Sequence, residues 1–230
     1  MIENEIIINA NYDFDKIAYV PIQFHKRTGF SHITYSNIEL RWPNNHEMTL
    51  IAQWFKNEDV YRAFGFSRPP SQANIENSVL PDLTARERYL EAVEFLVVRD
   101  HSRDKAIGFF VVFESHRRAD PNQEIDFAVV DENYRGQVGL LRKIELCILS
   151  YLFAVRGAQS VFWIRRKPRI AEASGSVAPG EGKNRFAPYQ QKGKPFIITR
   201  QQFKRRLERR RKVRGEKAFP FIVLMKSSLN

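Results

Sequence analysis

The chain has 230 residues and a formal net charge of +11, which comes from 37 Lys and Arg against 26 Asp and Glu. Apolar residues make up 43% of it, enough for a packed core, which excludes a globally disordered chain. The single cysteine, Cys147, excludes an internal disulfide framework. The acidic first residues lack the pattern of a secretory signal, and no apolar run approaches the roughly 20 residues that cross a bilayer. We therefore expect a soluble cytoplasmic protein with no membrane segment.

The first 37 residues show no long periodicity and contain only short apolar runs. We interpret them as an N-terminal extension that packs on a domain formed by residues 38–230. This domain opens with a predicted strand at 38–42. Asn44 or Asn45 then caps a helix whose apolar residues recur at helical spacing.

Two more helices are predicted at 58–64 and 71–91. Three β-rich runs joined by polar turns follow, at 94–99, 107–114 and 124–130. Such an order of strands and turns predicts an antiparallel meander.

A long amphipathic helix is predicted from just after Gly139 to Val155, because apolar residues recur there at three- and four-residue steps. Residues 160–164 (SVFWI) predict the next strand. The strand, helix, strand order implies a parallel pair of strands joined by a right-handed crossover.

The C-terminal third begins with residues 167–195, which are rich in Gly, Pro, Ala and Ser and predict a flexible loop. A short strand at 196–199 follows. Thr199 is placed to cap a helix over residues 200–214. Residues 219–225 predict a last buried strand.

One segment carries a resemblance to a known family. Residues 127–137 (FAVVDENYRGQ) place a strand, a short acidic-polar turn, an aromatic residue and Arg-Gly directly before a helix. This arrangement resembles the GNAT superfamily of N-acetyltransferases. The Leu-Arg at 40–41 and the helix that bears Trp54 and is followed by Val60 are similar to the branch that acetylates the N-termini of ribosomal proteins.

The resemblance implies an α/β (α+β) fold of the GNAT type. Its sheet is mixed and mostly antiparallel, with a splayed parallel strand pair and flanking helices. It also implies acetyl-CoA as co-substrate and an N-acyltransferase that moves the acetyl group to a primary amine by direct attack. The alternative is a non-catalytic GNAT-like module that binds RNA or an acidic protein.

The residues that the resemblance assigns to acetyl-CoA lie at the end of the third meander strand and in the turn after it. A helix N-terminus offers free N–H groups and a partial positive charge to a pyrophosphate, and a strand edge can pair with the amides of pantetheine. The assigned residues are Ala128, Val129, Val130, Arg135, Gly136, Gln137, Val138, Gly139 and Leu140. Arg142 is a second source of charge for the phosphates.

The turn departs from the family pattern at two positions. Val138 stands where the family has glycine, and Leu140 stands where it has a small residue. A valine disfavours positive φ, and its Cβ would crowd a phosphate. Either the loop shifts by one residue and uses Gly139, or binding of CoA is weakened or lost.

Three residues are candidates for the acid and base chemistry of amine acetylation. Glu124 and Asp126 lie two apart in a strand and so face the same side. Either one fits the family's base, and the alternative is that both are solvated edge residues. Tyr189, in the run 184–193 (NRFAPYQQKG), resembles the family's acid.

The remaining features favour simple interpretations. Cys147 falls on the apolar face of the long helix and is interpreted as a core thiol. The five histidines show no ligand spacing, so no metal site is predicted.

The helix at 200–214 holds nine Lys and Arg and one Glu, which favours an anionic partner: RNA, the ribosome or an acidic protein. The predicted contact residues are Arg200, Lys204, Arg205, Arg206, Arg209, Arg210 and Arg211.

Overall fold

A computed structural model describes most of the chain. The described residues are 3–9, 11–22, 24, 29–64, 66, 68–77, 90–115, 122–164, 195–214 and 221–226. They form a nine-stranded sheet with helices on both faces. The strand order in the sheet is β1-β9-β2-β3-β4-β5-β6-β7-β8.

The strands are β1 Glu3–Ile8, β2 Phe30–Tyr35, β3 Ile38–Arg41, β4 Leu90–Asp100, β5 Lys105–Ser115, β6 Asn122–Val129, β7 Ser160–Ile164, β8 Pro195–Thr199 and β9 Phe221–Lys226. The helices are α1 Asn45–Trp54, α2 Glu58–Ala63, α3 Gln72–Glu76, α4 Leu140–Ser150 and α5 Arg200–Arg214. A π-helical turn, Tyr151–Val155, continues α4, and 3-10 turns lie at Phe14–Lys16 and Glu132–Tyr134.

Strands β4, β5 and β6 form the predicted antiparallel meander, and β6 and β7 form the predicted parallel pair. The mixed, mostly antiparallel α+β sheet is therefore confirmed. One part of the prediction was wrong. Residues 90 and 91, expected at the end of a helix, begin β4, because long-range pairing with β5 outweighs their local helical pattern. The predicted loop at 167–195 lies outside the described residues apart from Pro195, which begins β8.

The first 37 residues contribute to this same sheet. Strand β1 pairs with β9, and β9 pairs with β2, all antiparallel. The segment between β1 and β2 runs over the α4 side, where Val20 donates its N–H to the carbonyl of Arg156. The N-terminal residues are thus joined to the sheet by strand β9 from near the other end of the sequence.

Local signals place α1 as expected. Asn44 is the N-cap, and its side chain accepts from the N–H of Glu47, while the Glu47 carboxylate accepts from the N–H of Asn44. This reciprocal capping box satisfies two N–H groups that a helix start otherwise leaves open. Met48 and Ile51 then fall on the buried side.

Two apolar layers cover the sheet. One lies under α4 and includes Cys147, Tyr151 and the N-terminal Phe14. The other lies under α1, α2 and α3 and is built around Phe55, which contacts several other phenylalanine rings. Alternate residues of β6 contact different layers, because side chains alternate along a strand. Ile125, Phe127 and Val129 belong to the first layer and Ala128 to the second.

Arg200, predicted to contact an anionic partner, is instead a buried structural residue. Its side chain is only 6% exposed. It donates hydrogen bonds to the carbonyls of Phe14, Ala158 and Gly157. That part of the prediction is wrong, because the first turn of α5 faces the protein and the guanidinium satisfies backbone acceptors there.

The core under α4 contains a buried ion pair. Glu94 is 1% exposed and Arg156 is 0% exposed, and Arg156 Nη1 lies 3.6 Å from Glu94 Oε2. The other carboxylate oxygen accepts from the hydroxyl of Tyr151 at 2.7 Å and from Trp42 Nε1 at 3.0 Å. Burial and then the Glu94 charge raise the pKa of Tyr151, so its hydroxyl remains a donor. The network joins β4 to the end of α4.

We expect Glu94→Gln to lower the free energy of unfolding by about 3–5 kcal/mol, because it leaves the Arg156 charge buried without its carboxylate. Urea denaturation followed by circular dichroism measures this. Glu208→Gln is the matched control, since Glu208 is exposed on α5. Its effect should stay within about 0.5 kcal/mol. Equal effects of the two variants would show that the buried pair adds nothing.

Candidate functional site

The parallel strands β6 and β7 pair over only three residues. The register is Asn122↔Ser160, Gln123↔Val161 and Glu124↔Phe162. On its other side β6 pairs with β5 as far as Val129. Within the described strands, β6 has no ladder partner on its β7 side after Glu124. The ladder thus ends two residues before the end of β7, and the backbone of β6 at 125–129 has no described ladder partner on this side.

The segment from β6 to α4 turns at two glycines. Gly136 has φ 77° and Gly139 has φ 81°, both in the left-handed region that glycine adopts readily. A Cβ at either position would meet nothing within 4 Å. Val138 does not have positive φ, and the residue is fully exposed. Gly139, and not Val138, therefore takes the left-handed conformation in this loop.

Leu140, the second departure from the family pattern, serves the core. It is the first residue of α4 and is buried against the layer beneath that helix. Its N–H donates to the carbonyl of Gln137 at 3.3 Å. A large side chain fits at this position because it points away from the open side of the loop.

The start of α4 presents unused donors. Gly139 is the N-cap and provides no side-chain cap. Across the described atoms, no acceptor is found for the N–H groups of Val138, Gly139, Leu141 and Arg142. Arg142 is also exposed at this end of the helix. Free N–H groups, the helix dipole and a nearby guanidinium together suit an anion such as a pyrophosphate.

Arg135, predicted to add charge for the cofactor, is engaged within the turn. Its Nη2 donates to the carbonyl of Val130 at 2.6 Å, and its Nε donates to that of Val129 at 3.3 Å. The N–H of Val130 is also used, by the carbonyl of Ile107. The arginine ties the turn to the end of β6. The open backbone edge therefore lies upstream of Val129, at 125–128.

Tyr134 holds the same turn through a hydrogen bond to Asp100 of β4. It is buried, and its hydroxyl donates to Asp100 Oδ2 at 2.8 Å. The other oxygen of Asp100 accepts from the hydroxyl and the N–H of Ser102. Burial raises the pKa of Asp100, but these hydrogen bonds and one from Asn37 outweigh it and lower that pKa to about 2. No local pattern in the sequence indicates this contact, because 34 residues separate the partners.

The predicted base residues lie where the ladder between β6 and β7 ends. Glu124 is the last residue of β6 that pairs with β7, and Asp126 is two residues further along the same unbroken ladder with β5. Asp126 Oδ1 accepts from the N–H of Phe127 at 2.9 Å, and the side chain is half-buried. Tyr189, the predicted acid, lies outside the described residues.

Other candidate features belong to the core or to surface ion pairs. Cys147 is fully buried, and burial raises the pKa of its thiol, as a core residue requires. A cleft of about 520 Å³ between α1 and the β4–β5 turn is lined by Arg99 and Lys105. Both are already in ion pairs, with Glu47 and Asp131 respectively. Among the described residues, no three His, Cys, Asp or Glu side chains could hold a metal ion.

None of the helices in the described part of the chain is both long and apolar enough to cross a membrane.

Comparison with protein-family models and with curated proteins gives no match. Comparison with solved structures gives acetyltransferases. Ribosomal-protein-S5-alanine acetyltransferase from Vibrio fischeri is 13% identical, covers 59% of this chain and 75% of its own, and has a TM-score of 0.39. A GNAT-family acetyltransferase from Bacillus anthracis is 13% identical over 60% of this chain and 75% of its own, with a TM-score of 0.42. An aminoglycoside acetyltransferase in complex with coenzyme A is 18% identical over 73% and 98%, with a TM-score of 0.46.

At sequence identities of 13–18%, the likeness concerns the fold alone and assigns no role to particular residues. The interpretation of the site therefore rests on the geometry of β6, β7 and the loop before α4.

We expect Asp100→Asn to flatten the dependence of stability on pH between about pH 4 and about pH 2. The folded-state pKa of Asp100 is about 2, below its ordinary value of 3.8. Its contribution is therefore fully present above pH 3.8 and is lost as the pH falls through the folded-state value. Urea unfolding at half-unit steps from pH 6 to pH 2 measures the slope. If the free energy of unfolding falls equally steeply with pH in the wild type and in Asp100→Asn, this role of Asp100 is contradicted.

Proposed function

We propose that this protein is an N-acyltransferase that moves an acetyl group from acetyl-CoA to a primary amine. One observation carries the proposal: β6 has no described ladder partner on its β7 side after Glu124, and one short turn joins this edge to the unpaired N–H groups at the start of α4. A strand edge suits the amides of a pantetheine arm, and a helix start suits the pyrophosphate attached to it. The strand edge and the helix start follow one another along the chain, just as the pantetheine arm and the pyrophosphate follow one another in acetyl-CoA.

The chain's own residues divide the binding task. The N–H groups of Val138, Gly139, Leu141 and Arg142 hold the pyrophosphate, with the Arg142 guanidinium adding charge. The backbone at 125–128 holds the pantetheine arm, apart from the N–H of Phe127, which already donates to Asp126. Arg135 and Tyr134 keep the turn in place. When bound, acetyl-CoA supplies a thioester whose acetyl group is transferred.

The proton of the acceptor is the remaining requirement. An alkylamine with an ordinary pKa near 10 is protonated at neutral pH, so it must lose a proton before its nitrogen can attack a carbonyl carbon. Asp126, which is half-buried on the open edge of β6, is the base in this proposal, directly or through water. Glu124 is the neighbouring candidate. Tyr189 is the proposed acid for the departing sulfur, by resemblance alone.

The loop can be tested with a pair of valine variants. We expect Val138→Asp to weaken binding of acetyl-CoA about tenfold or more, because a carboxylate beside the pyrophosphate repels it. Val213→Asp is the matched control, since Val213 is also exposed but lies on α5. Isothermal titration calorimetry gives both dissociation constants. Equal weakening by the two variants would place the pyrophosphate elsewhere.

The wild-type protein provides the broader test. Acetyl-CoA at 100 times its dissociation constant should add about 2.7 kcal/mol to the free energy of unfolding. If millimolar acetyl-CoA does not raise the free energy of unfolding, the proposal is contradicted.

Activity is measured as thiol release in the presence of amines. The acceptors to be tried are a peptide N-terminus, an aminoglycoside and a polyamine, because the similar structures include ribosomal-protein-alanine, aminoglycoside and spermidine acetyltransferases. We expect Asp126→Asn to lower kcat by about a hundredfold or more, the size of a general-base contribution, with acetyl-CoA binding unchanged. Unchanged kcat would remove Asp126 from the chemistry.

A further inference from the structure

Helix α5 is divided between a buried apolar side and a cationic outer side. Phe203 and Leu207 are buried, and the ring of Phe203 lies 5.8 Å from that of Phe14 and 5.3 Å from that of Phe153. Together with buried Arg200, these contacts fix which side of the helix faces solvent.

The outer side carries a row of three exposed cations, which we call the α5 row: Arg205, Arg209 and Lys212. Their spacing of four and three residues puts them on one helix face over about 10 Å. Over the residues that the structure describes, no acidic side chain forms an ion pair with them. Arg206, by contrast, pairs with Glu145 of α4. Glu208 is the one acidic residue of the helix and lies at the edge of the row.

Such a row is unfavourable for the isolated protein. Like charges at i and i+4, as at Arg205 and Arg209, destabilise a helix. The helix is held by the packing of Phe203 and Leu207 rather than by charge balance. A polyanion placed along the row removes the repulsion and releases its own counterions, so both effects favour binding.

The chemistry of the row favours phosphate. Seven of the nine cations in α5 are arginine, whose planar guanidinium donates two parallel hydrogen bonds to a phosphate. The described outer side of α5 presents no aromatic ring on which unpaired bases could stack, which disfavours a single strand. Bases that are already stacked in a duplex need no such platform.

The buried side of α5 decides how a duplex could be contacted. Phe203 and Leu207 hold α5 against the protein, so only its outer face can touch a partner. The cations on that face suit phosphate groups, which carry no sequence information directly. Contact with the backbone is how double-stranded RNA is mostly recognised. We propose that the α5 row docks on the phosphodiester backbone of duplex RNA without reading its sequence.

The test compares two charge-matched double variants of the full chain. Arg209→Gln with Lys212→Gln removes two cations of the row. Lys56→Gln with Arg68→Gln removes one lysine and one arginine that are exposed elsewhere. Fluorescence anisotropy with a labelled RNA duplex of about 16 base pairs, the span of known duplex-binding modules, is recorded from 50 to 300 mM KCl. A second duplex of unrelated sequence is run in parallel.

We expect the row variant to bind on the order of fiftyfold more weakly at 0.1 M KCl, and its plot of log K against log salt to be shallower by about 2. The control variant and the second RNA sequence should match the wild type. Unchanged circular dichroism and unchanged binding of acetyl-CoA show that the row variant remains folded, which separates this test from the one for acyl transfer.

Several results would overturn the proposal. Equal loss in the control variant would mean that net charge alone attracts RNA. Equal affinity for a DNA duplex of the same length would remove the assignment to RNA. Displacement of the RNA by polyglutamate at equal charge concentration would point to an acidic protein as the partner.

Discussion

Strand β6 pairs with β5 over six residues, from Glu124 to Val129, but with β7 over only three. The ladder with β7 ends at Glu124. A backbone edge left open inside a sheet is unfavourable unless something satisfies it. The proposed contact with the cofactor and the proposed role of Asp126 both depend on where this ladder ends.

The loop after β6 is ordered by contacts that lie behind it, away from its open side. Arg135 binds the carbonyls at the end of β6, and Tyr134 reaches down to Asp100 in β4. With these contacts in place, the left-handed turns at Gly136 and Gly139 can leave the N–H groups before α4 unpaired. Preorganised donors of this kind lose less entropy when a ligand binds than donors on a free loop do.

Charge in this chain is used in two opposite ways. Glu94 and Arg156 are sealed in the core and join β4 to the end of α4, where removing one partner is costly. The cations of the α5 row lie in solvent and repel one another, whereas Arg200, in the first turn of the same helix, is buried. Net charge alone does not distinguish these cases; burial and the available partners do.

The sequence by itself determined the order of elements from β3 onward, the N-cap of α1, the helix after Gly139 and the parallel strand pair, because each depends on neighbours within about four residues or on a regular period. It also located the loop before α4. Only the tertiary structure decided that Val138 points outward, that Arg135 serves backbone carbonyls and that Arg200 is buried, because their partners are set by folding. The same holds for residues 90 and 91, where pairing with β5 overrides local preference, and for Asp100, whose contact with Tyr134 no local pattern records.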